Sequence, residues 1–206
     1  MKIFNSFRFH IIRLLSLRKL KDSKLFDKNA IYLTFDDGPE PDITEFVLDE
    51  LKKYNATATF FCCGENCAKY PLLLNRIKEE GHTIANHTYS HINGYYTPAT
   101  DYIKNIDKCE IFLNTNTFRP PWGAITLKQY NNLRKRYRIV YWDAVSYDTE
   151  MDKLNLDRAI TSLENNTKPG QIILFHFCKK HENETKKILP RYLKFLSEAK
   201  YNISKL

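Results

Sequence analysis

Short apolar runs alternate along the chain with longer segments whose apolar residues recur every three or four positions. The runs Ala30–Phe35, Thr57–Cys62, Thr83–Asn86, Arg138–Trp142 and Gln171–Phe177 are rich in Ile, Val, Phe, Tyr and Thr and predict strands. Between them the spacing predicts helices over Ile43–Tyr54, Tyr70–Glu80, Ala99–Asn114, Thr126–Arg136, Leu156–Asn166 and Glu184–Glu198. Val47, Leu48, Leu51 and Tyr54 make up one such apolar face. Gly81 and Gly170 directly follow helical segments, where the chain must reverse. This alternation implies an α/β fold with a largely parallel sheet covered by helices, either open or closed into a barrel. No internal repeat, low-complexity block or second-domain linker interrupts it. In such folds functional side chains gather at the carboxyl ends of the strands.

The first residues follow a different pattern. Phe4, Phe7, Ile11, Leu14 and Leu15 recur at helical spacing, with Lys2, Ser6, Arg13 and Ser16 on the other side. Residues 1–28 contain eight Lys or Arg against two Asp, a net +6 that leaves only +2 of the total +8 for the rest of the chain. Residues 1–28 therefore read as a basic amphipathic segment preceding one domain over residues 29–206. The segment suits peripheral contact with an anionic membrane surface, or packing across one end of the domain. Arg8, Arg13 and Arg18 interrupt what would be the apolar stretch of a secretory signal. With the body nearly balanced, a nucleic-acid partner is not expected.

The remaining composition, 43% hydrophobic and 27% charged over 206 residues, is that of a folded globular chain. No run approaches the roughly 18 apolar residues of a membrane span. The five cysteines lack a paired Cys-x2-Cys pattern and read as reduced thiols, which favours a reducing compartment.

Asp36 and Asp37 end the first apolar run, with Gly38-Pro39 as a sharp exit. In an extended segment their side chains diverge, one towards a metal and one towards a water. His87-x3-His91 sets two imidazoles four residues apart, on one face if that stretch is a helical turn. One carboxylate and two imidazoles are ligands for a divalent ion that keeps a position open for water. Arg119-Pro120-Pro121-Trp122-Gly123 offers a guanidinium beside an aromatic, suited to a bidentate clamp on a carboxylate. His176 ends the last apolar run, where a nearby carboxylate such as Asp148 would hold it protonated as a general acid.

Together, Thr34-Phe-Asp-Asp-Gly-Pro39, His87-x3-His91, Arg119-Pro-Pro-Trp-Gly123, Trp142 to Asp148 and Leu174-Phe-His176 resemble the five motifs of the polysaccharide deacetylase family, the NodB-homology domain of carbohydrate esterase family 4. The resemblance runs from about residue 30 to the C-terminus. It implies a distorted (β/α) barrel with fewer than eight strands and a divalent metal, commonly zinc, with cobalt or another divalent ion as alternatives. It implies Asp36 as base, with Asp37, His87 and His91 as metal ligands. It further implies that Arg119 orients Asp36 and that His176 is the acid. Leu174 would line the acyl-methyl pocket, with Trp122 and Pro120 on the substrate side and the Trp122 N–H on the oxyanion. The fourth motif departs from the pattern. Either Asp148 or Asp143 could support His176, and Thr149 replaces the usual aromatic.

The expected activity is metal-dependent removal of N-acetyl groups from amino sugars of a poly- or oligosaccharide, with acetate as product. Two alternatives are a deformylase or deacylase of a lipid-linked or nucleotide-linked amino sugar, and a carbohydrate-binding protein that keeps the metal for stability. The expected location is cytoplasmic or at the inner membrane face, with export by an unmarked route still open.

Overall fold

A computed structural model of the chain describes residues 2–23, 26–149 and 156–206, with only the main chain for residues 2–10. Its centre is β1 (Ala30–Asp36), in which all seven residues are buried. A strand covered on both faces needs a continuous apolar run, and Ala-Ile-Tyr-Leu-Thr-Phe supplies one. Around it lie β2 (Thr59–Cys62), β3 (Thr83–Asn86), β4 (Thr117–Phe118), β5 (Arg138–Ile139), β6 (Ala144–Val145) and β7 (Ile172–His176). Seven parallel strands in the order β5-β4-β3-β2-β1-β7-β6 make a curled, incomplete barrel. A short β8 (Asn202–Ser204) pairs with the first residues of β1.

Helices cover the sheet as the alternation predicts. They are α2 (Ile43–Lys53), α3 (Gly64–Lys69), α4 (Pro71–Glu79), α5 (Ala99–Leu113), α6 (Leu127–Leu133), α7 (Leu156–Asn166) and α8 (Glu182–Glu198). Glu45 caps the start of α2 by accepting from the Asp42 N–H at 2.6 Å, and Thr126 and Gln129 do the same reciprocally for α6. Val47, Leu48 and Leu51 of α2 meet Ile188, Leu189 and Leu193 of α8 in the largest apolar cluster. Phe35 there stacks on Phe60 at 5.1 Å and tilts against Phe175 at 5.5 Å.

Three strands were too short to read. The strands β4, β6 and β8 span two or three residues, below the length at which a period of two can be recognised. The expected strand Arg138–Trp142 pairs only over Arg138–Ile139, and α3 lies in a stretch where no helix was expected. All five cysteines are free and buried.

The basic segment forms α1 (Lys2–Lys21) and packs on the domain beside α6 and β5. The docked face is not the expected apolar one. Ile12, Ser16 and Leu20 are buried, whereas Ile11, Leu14 and Leu15 are exposed. Arg13, expected on the free side, donates from Nε and Nη2 to the Trp142 carbonyl at 3.0 and 2.7 Å. Lys21 pairs with Asp143 at 2.7 Å. Polar anchors thus rotate the helix away from its most apolar side. The expected positions Phe4 and Phe7 lie outside the described side chains.

Candidate active site

The carboxyl ends of the parallel strands deliver four groups to one cavity of about 720 Å³. Asp36 is the last residue of β1, and His176, the last of β7, is its register partner across the ladder. His87 follows β3 directly, and Asp148 lies just past β6. Arg119 follows β4 and is completely buried behind the cavity wall.

Arg119 organises two of these groups. Its Nη1 donates to Asp36 Oδ1 at 2.7 Å and to Thr34 Oγ1 at 2.9 Å. Its Nε and Nη2 go to the carbonyls of Val140 and Tyr141, both at 3.3 Å. The expected bidentate clamp is therefore a single bond, because main-chain carbonyls and Thr34 take the other donors. The guanidinium lies over the Phe61 ring at 4.0 Å, and burial pushes its pKa down against the pull of Asp36. Its own carbonyl accepts from His87 Nδ1 at 2.7 Å. A carbonyl can only accept, so Nδ1 carries the proton and the Nε2 lone pair is left for a ligand.

The histidine pair does not sit on a helical turn. Thr88 and His91 have φ of 66° and 49°, and side-chain amides satisfy the backbone in place of a helical ladder. Asn105 Oδ1 accepts from the N–H groups of Tyr89 and Ser90 at 2.8 and 3.1 Å, and Asn86 Oδ1 accepts from Thr88 at 2.8 Å. This braced loop turns His91 back towards His87, with ring centroids 5.1 Å apart. Asp37 is not extended either. Its φ of 85° lets both acidic side chains reach the same cavity. Asp37 Oδ1 lies 3.3 Å from His87 Nε2 and 2.9 Å from His91 Nε2, and the three candidate ligand atoms fall within 4.8 Å of one another. Burial pushes the Asp37 carboxyl up, but the facing imidazoles of His87 and His91 outweigh it and hold the group well below the usual carboxylate range. An ionised carboxylate, two imidazole nitrogens and a carbonyl fixing one imidazole fit a divalent transition-metal ion.

The close exit from β1 requires Gly38. A Cβ there would stand 2.6 Å from the Phe177 carbonyl oxygen and 2.5 Å from its ring. Gly38→Ala is expected to cost about 2 kcal/mol of stability, measured by urea unfolding.

His176 is held from two sides by Asp148. Nδ1 lies 3.0 Å from Asp148 Oδ1, and the His176 N–H donates to Oδ2 at 2.6 Å. Burial pulls the imidazole pKa down, but the Asp148 carboxylate and its hydrogen bond outweigh this, so the value rises to about 9. The folded value lies above the ordinary 6.5, so protonation of His176 adds fully to stability below that pH. The contribution is lost as pH rises through about 9. Asp143 takes no part, since it pairs with Lys21 and accepts from the Ile172 N–H at 2.9 Å.

Leu174 and Trp122 line the cavity, and the Trp122 ring sits 4.2 Å from that of His91. Pro120 is buried and lies outside the lining, where its carbonyl accepts from Gly123 at 2.9 Å to close the loop. Trp142, Val145, Lys180, His181, Asn183 and Glu184 also line the cavity and had no role in the sequence reading. Trp142 lies between β5 and β6, Val145 ends β6, and the other four lie in the stretch after β7 that leads into α8. His181 lies 5.2 Å from His176, ring to ring.

The family model described as polysaccharide deacetylase matches residues 23–139, more than half of the chain. A peptidoglycan-N-acetylglucosamine deacetylase of Bacillus cereus is 37% identical over 158 residues, which cover 73% of this chain and 57% of that protein. The chain thus spans little more than half the length of that relative. A chitooligosaccharide deacetylase of Azorhizobium caulinodans is 32% identical, covering 73% of this chain and 74% of the other. Among solved structures, the Bc1960 peptidoglycan N-acetylglucosamine deacetylase in complex with 4-naphthalen-1-yl-N-oxidanyl-benzamide superposes with a TM-score of 0.81 at 33% identity, covering 88% of this chain and 87% of that one. A likeness of this extent, over a site of this composition, makes the chain a member of the polysaccharide deacetylase family.

Proposed function

We propose that the chain hydrolyses N-acetyl groups on the amino sugars of an oligo- or polysaccharide, releasing acetate and leaving a free amine. The observation that carries this reading is the Asp37–His87–His91 set lying in one cavity with Asp36 and His176. The names of the relatives, which act on peptidoglycan and chitooligosaccharides, support a glycan substrate.

A divalent ion held by Asp37, His87 and His91, with zinc as the reading the donor set favours, would supply Lewis acidity and bring the pKa of a bound water near neutral. Asp36 acts as the base. Arg119 occupies its Oδ1, and its other oxygen, Oδ2, remains to take the proton of the attacking water. His176, whose Nδ1 is committed to Asp148, presents Nε2–H to the leaving nitrogen. It gives up that proton as the C–N bond breaks. Leu174 and Val145 offer an apolar wall for the acyl methyl. Among the described residues the Trp122 N–H has no main-chain acceptor, which leaves it available to the developing oxyanion.

The test is acetate release from chitooligosaccharides and peptidoglycan fragments by chelator-stripped and zinc-reloaded protein. Stripped protein is expected to lose essentially all turnover, and about one equivalent of zinc to restore it. Restoration of metal content without acetate from either glycan would refute the reading. Asp148→Asn provides a second check on the acid. Without that carboxylate, burial is opposed only by the weaker pull of Asp37 and Asp36, and the His176 pKa falls. The alkaline limb of kcat/KM should therefore move to lower pH, by about 1–2 units.

A further inference from the structure

The helix α1 precedes the residues matched by the family model, and one of its faces is left over after docking. At 3.6 residues per turn, Ile11, Leu14, Leu15 and Arg18 share a sector of about 100°. The three apolar members are 42%, 68% and 52% exposed. Ile12, Ser16 and Leu20 form the docked side, and Lys19 stands between the two sectors.

Beside Lys19 lies a groove of about 340 Å³ between α1 and the turn from α6 into β5. That turn reads Arg134-Lys135-Arg136-Tyr137-Arg138, four cations in five residues within a body that is otherwise nearly balanced. All four line the groove together with Lys19, and no acidic side chain does. Arg136 is taken by Asp107 at 2.7 Å. Among the described residues, Lys19, Arg134, Lys135 and Arg138 have no carboxylate within salt-bridge distance. The groove is thus lined by cations with no carboxylate opposite them, a surface that attracts an anion.

We propose that the outer face of α1 and this groove form a docking site for a bilayer surface bearing anionic phospholipids. Lys19, Arg134, Lys135 and Arg138 hold the phosphate headgroups, and Ile11, Leu14 and Leu15 enter the acyl boundary. An interfacial helix needs an apolar side with basic residues flanking it at headgroup depth. Here α1 presents both on the surface left free by its docking.

The test is flotation of the full chain with phosphatidylcholine vesicles, with and without phosphatidylglycerol. Binding is expected only to the anionic vesicles and should be lost at high salt. Arg134→Ala with Lys135→Ala should weaken it about 20-fold. Leu14→Ser with Leu15→Ser should weaken it about tenfold or more. All four positions are exposed, so unchanged thermal midpoints will show that the variants are folded. Equal binding to neutral vesicles, or binding to neither kind, would overturn the proposal. So would a leucine variant that binds unchanged while soluble polyphosphate competes fully, since that result identifies a free-anion or polyanion site.

Discussion

Asp36→Asn is expected to lower kcat/KM for acetate release by about 10³, while about one equivalent of zinc stays bound. The substitution keeps the shape of the side chain. It also preserves an oxygen for Arg119 Nη1, which lies 2.7 Å from Oδ1 in the native chain. What it removes is the carboxylate able to accept a proton from water. Asp36 Oδ2 is 3.8 Å from His87 Nε2, against 3.3 Å for Asp37 Oδ1, and the candidate ligand set of Asp37, His87 and His91 is complete without Asp36. Turnover and metal content measured on the same preparation separate the two roles. Loss of zinc along with activity would reassign Asp36 from base to ligand.

The largest expected effect on stability is at Arg119. Its side chain is fully buried and, among the described carboxylates, Asp36 alone matches its charge. Arg119→Met removes one partner of that pair and leaves the Asp36 carboxylate in a nearly dry site, at a cost of about 3–5 kcal/mol. It also releases Asp36 from its orientation, so activity falls with stability. The pair behaves as a unit, so Asp36→Asn introduced into Arg119→Met should recover part of the lost stability. Equilibrium unfolding of the two single variants and the double variant measures this coupling. Strict additivity would mean that the buried pair contributes nothing beyond its separate members.

Much of this site was legible along the chain because its members lie where strands must end. The run Ala30–Phe35 demands burial on both faces, so the carboxylates that terminate it can only stand at the sheet's rim. His176 follows from the same argument on β7. The histidine spacing also pointed to two candidate ligands, but for a reason the fold does not use. Asn86, Asn105 and two left-handed residues bring the rings together, and none of these is visible in a four-residue interval. Arg119 showed the converse. Its place beside Asp36 was expected, yet the same residue's carbonyl also fixes the His87 tautomer, a contact between main chain and side chain 32 residues apart.

The N-terminal segment marks the boundary most sharply. Helical periodicity and a net +6 were plain from residues 1–28, and so was the prospect of docking or membrane contact. Which face would dock was not, because Arg13 and Lys21 find acceptors on Trp142 and Asp143 more than 120 residues away. The strand–helix alternation, the candidate ligand types and the acid and base candidates could all be read along the chain, since each depends on local burial pattern and side-chain chemistry. Only the tertiary structure chose Asp148 over Asp143, bent the histidine loop, and turned the leucines of α1 outward. Those outcomes depend on distant partners for buried polar groups, and no local pattern encodes where such partners will be.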